Sequence, residues 1–443
     1  MIVPSPIEGY EALTDNTQEL KEGMVLLVTA QNAPYRKALP EATPTVSPEA
    51  LMAAWDLETI KVVGVTGTNG KTTVTALIYS LLIDLGHSCA LQGTRGLFVD
   101  DRPLERKHMT TPSILETLWN MKRAKEAGAE YFVMEVSSHA IHQERIEGLN
   151  FALKIHTNVT RDHLDYHGTV AEYRRVKSRF FADDAPKLLN KDEIKTVSYN
   201  PIGAYTYGVE EPATFKIMAY SLANGISAVI KYHEEEEAFF SNMMGLFNLY
   251  NLTAAISAAK ILTRRPLAEI CDMVENFGGV SGRMEVVSVN PTVIVDFAHT
   301  DDGMYRVLDS LKDKDLVVVF GAGGDRDRGK RPKMGAVAGR FAKKIYVTSD
   351  NPRSEDPETI IREILQGLKG KENVYALVDR REAIEKALRE LEEGEILLVL
   401  GKGDEDTQEI GGVKHPFDDR EVVRELLEEL EEVKSFWGGL RPH

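Results

Sequence analysis

The sequence reads as an α/β protein of three domains: a small N-terminal one, a central one with a mostly parallel sheet, and a C-terminal, doubly wound, Rossmann-like one. Three observations lead there. A β-branched run, Val62, Val63 and Val65, enters the glycine-rich turn GTNGKTT (Gly67 to Thr73), after which Val74, Leu77, Ile78, Leu81, Leu82 and Leu85 recur at helical spacing up to Gly86. Beyond Arg283, apolar strands at 293–297, 316–320, 344–348, 373–378 and 395–400 alternate with helical patterns such as Arg380 to Glu393. The first stretch of the chain shows neither pattern.

A chain of 443 residues is longer than the roughly 250–300 at which one core stops growing, so several domains are required. Residues 1–58 contain Pro4, Pro6, Pro34, Pro40, Pro44 and Pro48, which interrupt any long element, and are expected to form the small first domain. Residues 59–283 carry the glycine turn and further strands at 131–136 and 153–158. Within them, 201–242 suggests short antiparallel strands, and the acidic run His233 to Glu237 reads as a solvated face or loop. Residues 284–443 form the third domain. No internal repeat has a solenoid period.

Composition narrows the function classes. The formal net charge is -16, so general attraction to nucleic acid or anionic membrane is not expected, and no basic-aromatic stripe accompanies it. Cys89 and Cys271 are the only cysteines, too few for a disulfide framework, which fits a reducing compartment. No apolar run approaches the ~20 residues that span a bilayer, and the N-terminus lacks a basic start with an apolar core. The expectation is a soluble, cytoplasmic protein, without membrane insertion, acting on small molecules as a monomer.

In the turn, Gly67 and Gly70 permit the tight backbone path that aims successive N–H groups and a helix N-terminus at phosphate oxygens. Thr68, Asn69 and Thr73 complete the loop. Lys71 supplies a positive charge near terminal phosphates, and the Thr72 hydroxyl suits Mg2+. The spacing departs from G-x-x-x-x-G-K-[ST], because Val65 stands five before Gly70 and Gly64 one earlier. That weakens a GTPase or ordinary kinase reading and leaves nucleotide binding, with a plain structural turn as the alternative.

Glu135, in FVMEVSSHA, ends an apolar strand where open α/β sheets collect ligands. A carboxylate there needs a cation or hydrogen bonds, so a metal ligand and a satisfied buried acid both fit. TNVTRDHLDYHGT (Thr157 to Thr169) crowds Asp162, His163, Asp165 and His167 after the next strand. Zinc is the weaker alternative to ordinary loop chemistry, since the set is oxygen-rich and no cysteine is close.

Ten segments then fall in a recognisable order: GTNGKTT, EVSSHA, TNVTRDHLDYHG, YRRVKSRFF, GLFNLYN, SGRMEVV, VDFAHTDDGM, GAGGDRDRGKRPKMG, DNPRSEDP and GKGDE. Together they resemble the Mur ligases over nearly the whole chain from residue 61, and within that family the type that adds the third amino acid of the peptidoglycan stem. The resemblance implies an ATP-dependent amide ligase, in which ATP activates a carboxylate as an acyl phosphate, an amine attacks, and ADP and phosphate leave. Such chemistry asks the protein to position groups and neutralise spreading charge.

The resemblance also implies roles. Lys71, Thr72 and Glu135 become phosphate clamp and Mg2+ ligands, His163 helps hold a second Mg2+, and Lys177 is expected as a carbamate (N6-carboxylysine), where its own sequence context suggests a solvated helix lysine. Thr110, Thr111, Ser137, Gln143 and Arg145 are expected to contact the UDP-muramoyl dipeptide; Gln143 and Arg145 otherwise read as exposed helix residues. Asn248, Asn251, Arg283, Asp296 and His299 join the ATP set, with helix capping the alternative for Asn248 and strand-end packing for His299. In DNPR, Asp350, Asn351, Pro352 and Arg353 resemble the version that reads meso-diaminopimelate, whose distal carboxylate rewards a guanidinium where lysine's bare ammonium would be repelled. A proline turn capping the next helix is the structural alternative. Arg326, Gly401 and Glu405 complete the amino-acid set.

Two departures stand out. Asp404 in GKGDE occupies a position where the family usually has His, and the first domain is shorter than the family norm, so only Thr14, Asp15 and Asn16 are nominated for the uridine end. Within the class, L-lysine as the amine, another Mur ligase or a folylpolyglutamate synthase is the alternative. Outside it, the chain would be an ATP-binding switch without catalysis.

Overall fold

The computed structural model describes residues 1–100, 102–106, 109–223 and 225–438. It separates into two compact units, one of residues 1–160, 169–242 and 248–277, the other of 161–168, 243–247 and 278 onward.

The first unit opens with four short strands, β1 (Ile2–Pro4), β2 (Ala12–Thr14), β3 (Met24–Leu27) and β4 (Thr45–Val46), paired in that order. Their inward side chains, Val3, Leu13, Val25 and Leu27, join one buried cluster that continues through Leu118 and Phe132. A proline-punctuated stretch too short to enclose its own core thus buries its apolar face against the following sheet. Helix α1 (Pro48–Ala54) starts on the Ser47 side chain, which accepts from Ala50 N.

Next come β5 (Lys61–Thr66), α2 (Lys71–Asp84), β6 (Cys89–Gly93), β7 (Gly96–Val99), β8 (Arg102–Arg106), α3 (Ile114–Glu126), β9 (Tyr131–Glu135), α4 (Ser138–His142) and β10 (Phe151–His156). The one-turn α5 (Leu164–His167) lies in the other unit. Then follow α6 (Val170–Arg179), β11 (Lys187–Asn190), β12 (Ala204–Gly208), β13 (Phe215–Ser221), β14 (Ile226–Tyr232), β15 (Glu235–Ser241), α7 (Leu246–Thr263) and α8 (Leu267–Met273). Eleven strands make one sheet in the order β15-β14-β13-β12-β11-β10-β5-β9-β6-β7-β8. The β12 to β6 stretch is parallel, and β5 lies between β9 and β10, which explains its unbroken apolar run. Gly64 belongs to this strand packing, not to the loop: a Cβ there would lie 2.6 Å from the Phe151 ring.

The acidic run departs from the loop reading. Glu235 to Glu237 enter β15, and the Glu235 carboxylate accepts from Leu267 N at 2.6 Å while pairing with Lys260 at 2.5 Å. β12 also pairs parallel with both neighbours; within 201–242 the antiparallel pairs are β13 with β14 and β14 with β15.

The second unit holds β16 (Glu285–Val289), β17 (Thr292–Asp296), α9 (Asp301–Asp309), β18 (Leu316–Phe320), α10 (Arg331–Phe341), β19 (Ala342–Val347), α11 (Pro357–Leu365), β20 (Val374–Ala376), α12 (Arg380–Arg389), β21 (Ile396–Leu400), β22 (Thr407–Ile410), β23 (Val413–Pro416) and α13 (Asp419–Gly438). Its six-stranded sheet runs β16-β17-β21-β18-β19-β20, parallel except for β16. Buried clusters lie on both faces, as a doubly wound sheet requires. The parallel strands end together at Asp296, Leu400, Phe320 and Val347, so the loops after them share one edge. Among the described residues no helix is long and apolar enough to cross a membrane.

Candidate active site

In the first unit β5 ends at Thr66 and the chain turns through residues 67–70 into α2. Gly70 has φ +86°, and a Cβ there would lie 2.5 Å from Asn251 Oδ1; at Gly67 it would lie 1.8 Å from Thr157 Oγ1. Side chains from the next strand end brace the loop. Thr157 Oγ1 and Asn158 Nδ2 donate to the Asn69 carbonyl at 2.6 and 3.0 Å, while Asn158 Oδ1 accepts from Asn69 N at 3.0 Å. The sequence reading assigned no role to Thr157 or Asn158, although the TN pair after a strand was the available signal. Thr68 Oγ1 accepts from Thr160 N at 3.0 Å. Lys71 Nζ folds over the loop, donating to the Gly67 and Thr68 carbonyls at 2.8 and 2.9 Å. Thr73 is buried in the first turn of α2.

Glu135 reaches the mouth of this loop. Thr72 Oγ1 donates to its Oε2 at 3.0 Å and Thr94 N to its Oε1 at 2.9 Å. Lys177, on α6, is no solvated helix lysine: it is 1% exposed, and its Nζ donates to Thr66 Oγ1 at 3.1 Å and to the Gly67 carbonyl at 2.9 Å. Asn248 and Asn251 are buried within α7, linked Asn251 Nδ2 to Asn248 Oδ1 at 3.0 Å, so Asn248 does not cap the helix.

Thr111 Oγ1 donates to the Glu135 carbonyl at 2.9 Å and accepts from Ser137 N at 3.0 Å. Ser137 caps α4, and Thr110 Oγ1 lies 3.2 Å from Thr94 Oγ1. Gln143 ends α4 and Arg145 follows it; Arg145 donates to the Thr111 carbonyl at 2.8 Å and to Gln143 Oε1, so neither is a free-standing helix residue. In the first sheet, Thr14 Oγ1 accepts from Asn16 N at 3.1 Å, and Asp15 pairs with the N-terminal ammonium at 3.4 Å.

The second unit gathers the remaining nominees. Asp162 Oδ1 accepts from His163 N at 2.8 Å, and Arg161 pairs with Asp327 at 3.1 Å. Burial opposes charge on Asp162, but the neighbouring His163, His299 and Lys330 hold its carboxyl down to about 2. His299 is half-buried, its Nδ1 3.0 Å from the Phe297 carbonyl, and desolvation together with the Lys330 charge pushes it down to about 4. Asp296 accepts from Met284 N and Ala298 N, each at 2.7 Å, while the Arg283 guanidinium stacks 4.1 Å from the Phe297 ring centroid. Asp296 is thereby a hub for the turn after β17.

After β19, Asp350 is buried with Oδ1 accepting from Asn351 N at 2.7 Å. Burial works against its charge, and the Arg380 and Lys402 cations prevail, keeping the carboxyl below the usual range. At Gly401 a Cβ would meet Asp350 Oδ2 at 2.5 Å. Pro352 lies between the buried Asn351 and Arg353, which has φ +53° and donates to the Gly324 carbonyl at 2.8 Å, with its Nε 3.5 Å from Glu409. Arg326 donates to the Asp325 carbonyl, and a Cβ on Gly323 would stand 2.9 Å from Arg353 and 3.7 Å from Arg326. Glu405 accepts from Asn351 Nδ2 at 2.7 Å. DNPR caps no helix, since α11 starts on Asp356. Asp404 lies where the backbone crosses Gly282, whose Cβ would be 2.1 Å from Asp404 N.

Among the described residues no three His, Cys, Asp or Glu side chains converge as a metal cluster, which gives no support to zinc. The Thr72 hydroxyl and Glu135 carboxylate are hard oxygen donors 3.0 Å apart beside the loop at 67–70, a donor set that fits a divalent cation.

A glycine-rich loop between a parallel strand and a helix, braced from the neighbouring strand and with an acid beside it, has the form of a nucleotide-binding α/β domain. The Mur ligase middle domain family matches residues 65–259, and the Mur ligase, glutamate ligase domain family matches 282–403. The chain belongs to the Mur ligase family and is an ATP-dependent amide ligase. It is 52% identical over 435 residues, 98% of this chain and 100% of the relative, to the UDP-N-acetylmuramoyl-L-alanyl-D-glutamate--2,6-diaminopimelate ligase of Wolinella succinogenes. To the Helicobacter pylori protein of the same name it is 45% identical, over 96% of this chain and 97% of the relative. A solved structure of a protein of that name superposes with a TM-score of 0.65 at 31% identity, covering 95% of each chain.

Proposed function

We propose that this chain joins meso-diaminopimelate to UDP-N-acetylmuramoyl-L-alanyl-D-glutamate, with ATP converted to ADP and phosphate, in peptidoglycan precursor synthesis. The observation that carries it is the convergence of Thr72, Glu135, Lys71 and Lys177 on the loop at 67–70, in a chain matching ligases of that name nearly end to end.

Residues 59–283 bind ATP, with Gly67 to Thr73, Asn248, Asn251 and Arg283 on the nucleotide, and the family resemblance adds Asp296 and His299 to the same set. Lys71 and the loop N–H groups orient the terminal phosphates and draw off charge as the substrate carboxylate takes up the phosphoryl group. Thr72 and Glu135 hold Mg2+, with His163 and Lys177, as its carbamate, at a second ion; bound there, the metal supplies positive charge to the phosphate oxygens. Residues 1–58, with Thr14, Asp15 and Asn16, take the uridine end, and Thr110, Thr111, Ser137, Gln143 and Arg145 take the muramoyl dipeptide. Residues 284–443 bind the amine, where Arg353 and Arg326 offer guanidinium groups to the distal carboxylate of diaminopimelate. The enzyme works in the cytoplasm as a monomer.

The test is ADP release with muramoyl dipeptide and a panel of diamino acids. Release requiring both the dipeptide and diaminopimelate is expected, with a hydroxamate when hydroxylamine replaces the amine. Strong turnover with L-lysine and none with diaminopimelate would overturn the specificity; ATP binding with no product under any condition would leave only the switch.

A further inference from the structure

Lys402, so far met only as one of the two cations beside Asp350, is wholly enclosed, at 0% exposure, beneath the loops that follow β19 and β21. The glycines on either side explain its path. Gly401 and Gly403 have φ +117° and +55°, values that favour glycine, and the doubled turn directs the lysine side chain inward. Its Nζ donates to Asn351 Oδ1 at 3.3 Å, Glu405 Oε2 at 3.1 Å and the Thr407 carbonyl at 2.6 Å. An ammonium carries three N–H bonds, and all three have acceptors within the protein. A cation so enclosed and so saturated acts through its neighbours.

Those neighbours are residues of the amino-acid site. Asn351 Nδ2 donates to the same Glu405 Oε2 at 2.7 Å, while Asn351 Oδ1 also accepts from Glu409 N at 2.9 Å. Glu409 in turn accepts from Arg353 N through its carbonyl at 3.0 Å and faces Arg353 Nε through its carboxylate at 3.5 Å. One chain of contacts therefore runs from Lys402 through Asn351 and Glu409 to Arg353, and a second runs directly to Glu405. We infer that Lys402 is the positioning residue of the amino-acid site, setting where Asn351, Glu405 and Arg353 stand. The inference rests on the proposed assignment of that site to diaminopimelate.

Removing the ammonium leaves the half-buried Glu405 carboxylate without its cation and loosens Asn351, so the loss falls on the amine substrate. The experiment measures KM for diaminopimelate, ATP and muramoyl dipeptide separately in the wild type, Lys402→Met and Lys402→Gln; the second variant keeps a donor and serves if the first is not recovered folded. Lys402→Met should raise KM for diaminopimelate roughly tenfold or more, with KM for ATP and dipeptide within about twofold. Lys402→Gln should fall between. Adding Glu405→Gln to Lys402→Met should give less than the sum of the separate effects, because the two side chains act together. An unchanged KM for diaminopimelate, or an equal rise for all three substrates with additive double-variant effects, overturns the inference. A wild type that shows no diaminopimelate-dependent turnover overturns the assignment of the site, and the inference with it.

Discussion

Thr72 Oγ1 donates to Glu135 Oε2 across 3.0 Å, joining the first turn of the helix after the glycine-rich loop to the end of the adjacent strand. The register makes this possible: Val65 pairs with Glu135 in parallel strands, so both strands finish at the same level. Glu135→Gln keeps the shape and a hydrogen-bonding side chain while removing the charge. Its kcat should fall by roughly a hundredfold or more, with little change in thermal midpoint, as read by ADP release and calorimetry. Activity within a few-fold of wild type would remove Glu135 from the proposed metal site.

Lys177 lies under the same loop, 2.9 Å from the Gly67 carbonyl. Lys177→Ala should lose activity and regain part of it with added short carboxylates, which supply the anionic oxygen a carbamate would provide. Wild-type turnover in the variant, or loss that no carboxylate relieves, counts against the modification.

Arg353 is the half-buried end of a chain of contacts that begins in the buried interior. Arg353→Ala and Arg353→Lys should each raise KM for diaminopimelate more than KM for ATP, with lysine the milder change because it loses the planar fork but keeps the charge. Equal KM values in variant and wild type would show that the guanidinium does not touch the amine substrate.

His156, in β10, is fully buried, and among the described residues neither ring nitrogen has a hydrogen-bond partner. Burial first, and second the charge of Lys177 while that lysine is an unmodified ammonium, push its pKa from the ordinary 6.5 down to about 3. Below 6.5 the unfolded chain binds a proton that the folded one refuses, so His156 progressively reduces stability as pH falls from about 6.5 to about 3. His156→Phe, beside Phe181 at a ring separation of 6.0 Å, should flatten that part of the stability curve, measured by urea unfolding across the window. An identical acid slope would place the sensitivity elsewhere.

Arg380 and Asp419 are both fully enclosed and pair at 2.7 Å, and Arg380 also donates to the Ser349 and Leu400 carbonyls. The pair thereby ties together the strand ends that precede Asp350 and Gly401. Arg380→Met strands a buried carboxylate and should cost about 3 kcal/mol or more in unfolding free energy. Asp419→Asn combined with Arg380→Met should recover part of the loss, since no buried charge is then left alone.

Much of the fold is legible in the residues. The run from Val62 through Gly70 to Leu85 announces strand, turn and helix because β-branching, glycine and helical spacing are local properties, and the third-region strands follow for the same reason. The acidic run at 233–237 reads as a solvated face or loop, and His233, Glu234 and Glu236 are indeed exposed; that Glu235 meets Lys260 and the Leu267 amide could not be foreseen, because charge alone carries no information on what stands opposite it. Likewise the bracing of the loop by Thr157 and Asn158, nearly ninety residues downstream, depends on which strand lies beside β5.

The order of the ten segments, and with it the family and the chemical types offered to phosphate and amine, is carried by the sequence itself, since residue identity and spacing determine which groups are present. Only the tertiary structure decided that Lys177 is enclosed, that Asp350 is held charged by two buried cations, and that Lys402 spends its donors on Asn351, Glu405 and Thr407. Strand pairing brings residues distant in sequence within 3 Å or so of one another, and at that range burial and hydrogen bonding set what each group does.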